Sequence, residues 1–428
     1  MGKRISLPET YPLPANWNWV PMGDLVKMKT GFPFNSKRFS RDPTGRRPLI
    51  RIRDVLRGET ETYTDEACPE EYIIHAGEIL IGMDGDFNVS RWNSMDALLN
   101  QRVCWIESDS ALLLNDFLFY YLPSPLKSIN DTTPSITVKH LSTKTLAVTP
   151  FPLPPLPEQR RIVDRIESLF TKLDEARKKA QAVVDGYKYR RAAILRKAFT
   201  GELTAKWREK QGIGLDTWKE TTVGEVCRDV KVGIVIKPSQ YYTDELNGTP
   251  AFRSANVREG RIDNFDWVYL NEQGMKENKR SIVHTGDVLV VRSGNPGTAC
   301  VVPSEFDGYN AIDILIAVPD STHILSDYLC YYTNSPFGKI IVFGSKRGIA
   351  LAHFNVKGYA RAEIKVPKLE EQAMIIRSLD TILAKEQTVK ESAETVLTTI
   401  DVMKKKILGM AFRGLLGTND PAEARVSV

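Results

Sequence analysis

The sequence predicts an α+β fold in which two repeated globular domains are separated by two long antiparallel coiled-coil helices, as a pseudo-two-fold internal duplication. Three observations predict it. Two stretches carry apolar residues at coiled-coil spacing, sequence segments recur at a nearly constant offset, and short strand-like runs fill the regions between. At 428 residues the chain is also too long for a single hydrophobic core.

The first long helix is predicted by apolar residues that alternate at steps of four and three. A repeat of 3.5 residues predicts a helix that packs lengthwise against a partner helix. Pro157 suits the first helical turn, where its missing N–H costs nothing, and Gly201 suits the end of the helix. Roughly 40 residues at about 1.5 Å each give a rod of roughly 60 Å. The seam of this helix contains Ile162, Ile166, Leu169, Leu173 and Ile194.

A second helix repeats the first in register. Glu158-Gln159 recurs as Glu371-Gln372, an offset of 213 residues (371 minus 158). The same offset carries the segment Ala198–Gly201 to Ala411–Gly414 without a gap. A match of this length indicates internal duplication, and because each seam needs cover, we expect the two helices to form an antiparallel pair. The second seam contains Ile375, Leu379, Ile382, Ile400 and Ile407, and continues through Val389, Val396 and Met403.

The regions before the two helices are predicted to be short strands joined by turns. Apolar runs such as Ile79-Leu80-Ile81 are bounded by Gly, Pro, Asn and Asp. The offset between the copies rises from 201 at Gly23 and Gly224 (224 minus 23) to 213 in the helices, which places insertions in loops of the second copy. The predicted segments are a first globular domain at 1–153, a first long helix at 154–203, a connector at 204–215, a second globular domain at 216–366, a second long helix at 367–416 and a flexible tail at 417–428.

Composition and charge limit the class of protein. A net charge of +5 and a pI of about 8.7 are compatible with nucleic-acid binding. The five cysteines are scattered and odd in number, so we expect neither a disulfide framework nor a zinc site, and a cytoplasmic location. No apolar run approaches the length that spans a membrane, so no membrane partner is expected.

No residue is predicted to be catalytic or to ligate a metal. An adenine methyltransferase needs a loop such as Asn-Pro-Pro-Tyr to hold a flipped base, and the nearest segment, Leu153-Pro154-Pro155-Leu156, lacks a polar residue. No glycine-rich loop follows a strand where it could hold a cofactor. Asp320, Glu363 and Lys365 match the loose acid–acid–lysine pattern of metal-dependent nucleases, but the first copy has Pro150 in place of Glu363.

The boundaries of the two helices carry a resemblance to a known family. Pro155-Leu156-Pro157-Glu158-Gln159-Arg160 leads into a helix that ends Ala198-Phe199-Thr200-Gly201-Glu202-Leu203, and the second copy runs from Leu369-Glu370-Glu371-Gln372 to Ala411–Gly414. With a globular domain before each helix, the chain resembles the specificity subunit of type I restriction–modification systems over nearly its whole length. The second copy departs from the first, with Lys368 and Glu370 in place of Pro155 and Pro157.

The resemblance implies that each globular domain is a target-recognition domain that grips one half of a bipartite site in double-stranded DNA. It implies that the helices act as a spacer and as a dock for two methyltransferase subunits, which would carry S-adenosylmethionine. Restriction subunits would join through the assembled complex. The chain itself is then expected to be non-catalytic and to need no cofactor.

Basic and amide residues in the diverged loops are the candidates for DNA contacts. Arginine suits guanine, asparagine and glutamine suit adenine, and lysine suits phosphate. Arg51 and Arg253 occur in both copies, so we expect them to contact the DNA backbone or support the fold. For His140 and His353, a phosphate contact and a structural role both remain open. The candidates in the first copy are Lys37, Arg38, Arg46, Arg47, Arg51, Arg53, Asn88, Arg91, Lys139 and His140. Those in the second copy are Lys237, Gln240, Arg253, Asn256, Arg292, Asn295, Lys346, Arg347 and His353.

Two other functions fit the same sequence. One is a self-sufficient DNA nuclease or methyltransferase, which a cleavage or methyl-transfer assay on the lone chain would reveal. The other is a coiled-coil scaffold without a role on DNA, which sequence-dependent and salt-sensitive DNA binding would exclude.

Overall fold

The computed structural model describes residues 10–133, 138–343 and 355–426. These residues form two compact units, whose boundaries fall inside the two long helices. The first unit contains the described residues up to Ala180 and those from Thr395 onward, and the second unit contains those from Gln181 to Glu394. The domain boundaries predicted from the sequence therefore separate segments that pack together.

The first unit contains a globular domain of short strands and short helices. Its strands are β1 (Asn18–Pro21), β2 (Val26–Thr30), β3 (Phe39–Ser40), β4 (Arg47–Ile50), β5 (Tyr63–Thr64), β6 (Ile73–Ile74), β7 (Ile79–Gly82), β8 (Val89–Arg91), β9 (Ala97–Leu99), β10 (Val103–Ser108) and β11 (Pro150–Leu153). Its helices are α1 (Asn115–Tyr121), α2 (Pro123–Thr132) and α3 (Thr143–Ala147), and the first long helix, α4, follows at Leu156–Phe199.

Two sheets build this domain. One is antiparallel with the strand order β2-β10-β7-β8, and the other has the order β3-β5-β4-β9-β6 with a parallel β4–β9 pair. β1 pairs with β11, where Trp19 lies opposite Pro152, so the chain returns to the start of the domain just before α4. The main core packs Ile106 of β10 and residues of α1 together with Ile162 and Ile166 of α4. The beginning of α4 is therefore part of this core.

The second unit contains the other globular domain. Its strands are β12 (Lys219–Thr222), β13 (Cys227–Val232), β14 (Tyr242–Thr243), β15 (Thr249–Phe252), β16 (Val257–Arg258), β17 (Arg261–Ile262), β18 (Val268–Leu270), β19 (Val288–Val291), β20 (Ala299–Val301), β21 (Asn310–Ala311), β22 (Ile314–Pro319) and β23 (Glu363–Val366). Its helices are α5 (Ala205–Gln211), α6 (Val223–Val226), α7 (Glu272–Glu277), α8 (Ser326–Asn334), α9 (Pro336–Phe343) and α10 (Val356–Ala360), and the second long helix, α11, follows at Leu369–Ala411.

The second domain repeats the framework of the first. Its sheets have the orders β13-β22-β19-β20 and β14-β18-β15-β21, the latter with a parallel β15–β21 pair, and β12 pairs with β23 as β1 pairs with β11. The β16–β17 hairpin and α7 have no counterpart among the described residues between β4 and β6, and they lie where the sequence offset rises. The predicted α+β class and the predicted duplication are confirmed.

Within each unit, the segments of α4 and α11 run antiparallel. Residue numbers rise along one helix as they fall along the other at each contact between charged or aromatic side chains. The predicted antiparallel helix pair is therefore confirmed. The contacts are Asp174–Lys404 at 2.6 Å and Arg177–Asp401 in the first unit, and Tyr187–Lys390 at 5.3 Å and Arg190–Glu386 at 2.7 Å in the second.

The seam residues predicted from the heptads are all at least half-buried, apart from three positions on α11. Ala393 and Ile400 keep the predicted register, but buried Leu383 takes the place next to Leu379 that was predicted for Ile382, so alternate seam positions of α11 move by one residue. The prediction that Val389, Val396 and Met403 belong to the intramolecular seam is wrong, since all three are exposed. Ile162, Ile166, Ile375, Leu379 and Ile400 are buried, and Leu169, Leu173, Ile194, Ile382 and Ile407 are half-buried.

The last phenylalanine of each long helix enters a globular core. Phe412 of the first unit and Phe199 of the second each lie edge-on to two aromatic rings, the arrangement that aromatic pairs favour. The recurrence of Ala-Phe at both helix ends therefore reflects the same packing in each copy. The ring pairs are Phe412 with Phe117 and Tyr121 at 5.1 Å each, and Phe199 with Tyr328 and Tyr332 at 5.3 Å each.

The Glu-Gln pair at the start of each long helix is buried and fully bonded to its own unit. Gln159 accepts from the Leu114 N–H at 2.9 Å and donates to the Leu112 carbonyl at 2.7 Å. Gln372 makes the equivalent bonds with Leu325 and His323. These glutamines tie the start of each helix to the loop before a domain helix, α1 or α8.

The segment 417–426 packs against the start of α4, in contrast to the flexible tail predicted from the sequence. The Thr418 hydroxyl and the Asn419 N–H donate to Glu158 at 3.0 and 2.9 Å, and Arg161 pairs with Glu423 at 2.7 Å. A buried carboxylate such as Glu158 needs donors, and the tail supplies them.

Candidate nucleic-acid interface

An exposed basic segment joins β2 to β4 in the first unit. Lys37 and Arg47 are exposed, and their side chains make no hydrogen bond or ion pair with the described residues. Arg41, which was not among the candidates, is exposed in the same segment. The Asn35 side chain caps the turn by accepting from the Lys37 N–H at 3.0 Å. Unpaired cations on an ordered turn suit contacts to DNA phosphates.

Arg38 and Arg46 belong to the same segment but have acidic partners. Arg38 Nε lies 2.7 Å from Asp65, and this hydrogen bond holds the pKa of Asp65 below its ordinary value. Arg46 lies 3.2 Å from Asp42. Both pairs are solvent-exposed, where an ion pair contributes little, so either arginine can exchange its carboxylate for a phosphate.

Arg91 and Lys139 serve the fold. Arg91 donates to the Gly77 carbonyl at 2.9 Å and pairs with Asp116. Lys139 Nζ donates to the backbone and side-chain oxygens of Asn130 at 2.6 and 3.0 Å. Each cation therefore has several internal acceptors in this structure, and a DNA contact by either residue stays a prediction.

Arg51, Arg53 and Asn88 lie close to the domain framework. The Arg51 guanidinium lies 5.5 Å from the centre of the Phe39 ring, and Arg53 donates to the Thr62 hydroxyl at 3.2 Å. Asn88 is half-buried beside β8. Its presence in both copies predicts either a DNA-backbone contact or support of the fold, and the position of Arg51 fits the second of these roles.

His140 is held by a carboxylate beside an arginine. Its Nδ1 lies 2.7 Å from Asp84, and Arg102 donates to the other Asp84 oxygen at 2.6 Å. The ring of His140 remains exposed. Of the two roles that the sequence left open, the structure shows the structural contact.

In the second unit the segment equivalent to the basic one is different in chemistry. Lys237 and Gln240 are exposed there, together with Ile236 and Leu246, which are 79% and 94% exposed. Lys237 has a φ of 44°, a left-handed conformation that is uncommon outside glycine. Asn295 is exposed in another loop, between β19 and β20. The second copy therefore presents apolar and amide groups beside a single exposed lysine, Lys237, where the first presents several cations.

Asn256 is corrected by its burial. It is fully buried, accepts from the Arg253 N–H at 2.9 Å and donates to the Phe265 carbonyl at 2.8 Å, so it cannot reach a base. Arg253 itself pairs with Asp266 at 2.8 Å, which fits the structural one of the two roles expected of it, a DNA-backbone contact or support of the fold.

Arg292 pairs with Asp313 at 2.7 Å, and only 14% of its side chain is exposed. The Arg292 guanidinium is therefore engaged within its own unit, and a contact to DNA stays a prediction. Lys346, Arg347 and His353 lie outside the described residues.

A pair of lysines at equivalent positions was missed in the sequence. Lys144 of α3 and Lys357 of α10 are 213 residues apart (357 minus 144), exposed, and without a side-chain partner in the part of the chain that the structure describes. The shared offset could have identified them. A cation present in both copies suits the DNA backbone, which is the same at every sequence.

Lys144→Ala and Lys357→Ala should each lower the magnitude of the log–log salt slope of DNA binding by about 0.9, since each removes one phosphate contact. Affinity should fall alike for all sequences. Binding titrations over a range of salt concentrations measure both. Lys206→Ala, which removes an exposed lysine of α5, should leave the slope unchanged. A change in base preference would make these lysines base readers, and an unchanged slope would remove them from the interface.

The described residues contain neither a group of three or more His, Cys, Asp or Glu side chains placed to hold a metal ion, nor a helix long and apolar enough to cross a membrane. The acid–acid–lysine pattern is split among different partners. Lys365 pairs with Glu220 at 2.7 Å, and Asp320 accepts from the Thr322 hydroxyl at 2.7 Å.

Comparisons with known proteins agree with this architecture. Residues 14–183 match the family model of the type I restriction modification DNA specificity domain. The EcoBI specificity subunit of Escherichia coli, a type I restriction enzyme subunit, is 31% identical over 421 residues, which cover 95% of this chain and 88% of the relative. The EcoKI specificity subunit of Escherichia coli strain K12 is 22% identical, with coverage of 96% and 91%.

Two solved structures share the fold. A chain from a structure described as showing complex assembly and conformational transition of the type I R-M system has a TM-score of 0.70 at 21% identity and covers 95% of this chain and 100% of its own length. The HsdS subunit of Thermoanaerobacter tengcongensis has a TM-score of 0.59 at 21% identity, with coverage of 95% and 98%.

Two copies of one framework with diverged exposed loops, joined by a helix pair, define a DNA-specificity protein. The chain belongs to the family of type I restriction enzyme specificity subunits. It recognises DNA sequence in a type I restriction–modification system, as the resemblance predicts.

Proposed function

We propose that this chain is a non-catalytic subunit that reads a bipartite target in double-stranded DNA, with one globular domain for each half-site. The proposal rests on one observation: the two domains share a strand framework, but their exposed loops differ in chemistry. Strand order is the same in the two domains apart from the edge strand β6, while the exposed segment before β4 is cationic and its equivalent before β15 is richer in apolar and amide groups. Loops of different chemistry on a common framework supply different base contacts.

We also propose that the chain binds two methyltransferase subunits, which carry S-adenosylmethionine. Restriction subunits join through the assembled complex. A stripe of exposed apolar side chains on α11 supports a docking surface for a partner helix. Val396 and Met403, both in the first unit, are seven residues apart, so they share one helix face. The five cysteines are free, which supports the cytoplasmic setting in which we place the complex.

The double substitution Val396→Lys with Met403→Lys should weaken assembly with the methyltransferase subunits at least about tenfold, because burying an unpaired ammonium costs more than about 1.4 kcal/mol. Titration of the purified subunits measures assembly. Methyl transfer from S-adenosylmethionine to DNA measures the activity of the assembled complex. The lone chain should transfer no methyl group, and the assembled complex should transfer it at a split site.

Thr398→Lys is the matched control, since Thr398 is exposed on the same helix but outside the stripe. It should leave assembly unchanged. Methyl transfer by the lone chain would contradict the non-catalytic role. Equal assembly by the double variant and the unsubstituted chain would remove the stripe from the docking surface.

A further inference from the structure

A groove opens in the second unit beside the end of α4. It has a volume of about 500 Å³ and is lined by the rings of Phe199, Tyr332 and Phe337 and by the acidic residues Glu220, Glu225 and Glu363. We call it the Phe199 groove. All six residues belong to the second unit, so the groove is a property of that unit alone.

The equivalent place in the first unit is filled by the chain itself. Tyr11 lies there, and its hydroxyl donates to the carbonyl of Phe412, the counterpart of Phe199, at 2.8 Å. The Tyr11 ring packs edge-on against Trp19, the counterpart of Glu220, at 4.9 Å. Arg413 lies 5.4 Å from the centre of the same ring. Burial raises the pKa of Tyr11 to about 12, as expected for a phenol seated in an apolar place.

The second copy lacks this occupant for a local reason. With Trp17 aligned on Trp218, Tyr11 falls on Gly212, which ends α5 in a left-handed conformation with a φ of 67°. Three residues further along, the packing of the two copies is the same again. Pro14 packs on Gly414 in the first unit, and its counterpart Leu215 packs on Gly201 in the second. Thr200 stands where the first copy has Arg413. Both the aromatic ring and the cation are therefore missing from the Phe199 groove.

The charge of the groove indicates what would fill it. Glu220 is neutralised by Lys365 at 2.7 Å, and that hydrogen bond holds the pKa of Glu220 below its ordinary value. Glu225 accepts from the Thr221 hydroxyl at 2.6 Å, which lowers its pKa in the same way. Glu363 is exposed and has no ion-pair partner among the described residues. Since Glu225 and Glu363 leave the groove net negative, a cation is favoured beside the aromatic rings.

We propose that the Phe199 groove binds an extended segment of a methyltransferase subunit that carries an aromatic side chain next to a lysine or arginine. The first unit shows the chemistry of such an occupant in the Tyr11 ring with the Arg413 guanidinium. The choice of partner rests on the proposed function, which assigns the helix pair to the methyltransferase subunits, and the groove adjoins the end of α4. Because Tyr11 fills the equivalent place in the first unit, the described residues of each chain hold a single such site, so only one of the two methyltransferase subunits occupies it.

Photocrosslinking in the assembled complex tests this directly. Replacement of Phe337 by p-benzoylphenylalanine puts a photoreactive aromatic side chain, larger than phenylalanine by a benzoyl group, at the wall of the groove. The expected result is a crosslink to one methyltransferase segment in which Tyr, Phe or Trp adjoins Lys or Arg. The same probe at Phe265, which is exposed on the second unit away from the groove, is the matched control and should not give that crosslink.

A charge reversal gives the second readout. Glu363→Lys should lower the crosslink yield from the Phe337 position about tenfold, whereas Glu272→Lys, an exposed reversal on α7, should not. If the complex assembles and methylates DNA but the Phe337 probe reacts no more than the Phe265 probe, or reacts with a segment lacking the aromatic–cation pair, the inference is overturned while the proposed function stands. If no complex assembles, the proposed function fails and the inference falls with it.

Discussion

Glu371→Ala is expected to lower the free energy of unfolding of the second unit by about 3–5 kcal/mol, the cost of leaving a buried partner charge unpaired. Glu371 is 1% exposed and accepts from Arg208, which is 7% exposed, at 2.7 Å. It also accepts from the Thr204 hydroxyl at 2.7 Å and from the Trp218 indole N–H at 3.0 Å. One carboxylate therefore fastens the connector after α4 to the start of α11.

Backbone amide hydrogen exchange measures this loss of unfolding free energy. It is analysed for each unit separately, because two units need not unfold together. Exchange should rise most in the connector and at the start of α11. Glu371→Leu combined with Arg208→Met should recover part of the loss, since it removes both charges.

Glu158→Ala in the first unit is the natural comparison. Glu158 is as buried as Glu371, but its arginine partner, Arg161, is 35% exposed and keeps a second carboxylate in Glu423. Its loss should therefore be smaller. An equal or smaller loss at Glu371 would contradict the role given to the buried pair.

The long helices and the duplication were predictable because their patterns are local and periodic. The register of the α11 seam was not. Ile382 and Leu383 are both apolar, as are Val396 and Leu397, so the sequence offers two seams one residue apart. Packing of the α11 segments against α4 within each unit selects between them. The apolar residues left over are exposed: Val389 in the second unit, and Val396 and Met403 in the first.

For the candidate DNA interface, the sequence predicted which types of residue to consider but not which of them are free of internal partners. Arg91 and Arg292 look like free loop cations in the sequence, and their carboxylate partners, Asp116 and Asp313, are distant along the chain. Pairing of this kind depends on tertiary structure, which loop composition does not show. The basic character of the exposed segment with Lys37 and Arg47 was predictable because the charges are adjacent in the sequence. Neither of these two residues has an acidic partner among the residues that the structure describes.

The motif Glu-Gln was found by its recurrence, but its role was not. Nothing local shows that Glu158 would bind the segment after α11, or that Glu371 would bind the connector after α4. The flexible tail predicted at 417–428 was wrong over the described residues for the same reason. Its polar sequence is typical of a loose end, and the buried carboxylate that orders it lies more than half the chain away.

Exchange of one domain tests the central claim, that each globular domain reads its own half of the target. Residues 18–153 should be replaced by the corresponding segment of a family member with a different target, so that β1 and β11 move as a pair. The new segment keeps the contacts with Phe412 and Ile162 only if the donor has the same framework residues in the core. Amide hydrogen exchange of the first unit checks that this core is intact.

Methylome sequencing of cells that produce the exchanged chain with its methyltransferase subunits is the measurement. We predict that one half of the methylated site takes the sequence read by the donor and the other half stays as it was. A reciprocal exchange of the second domain should change the other half. If both halves change, or neither changes while the complex still methylates DNA, the domains do not read separate halves and the account is contradicted.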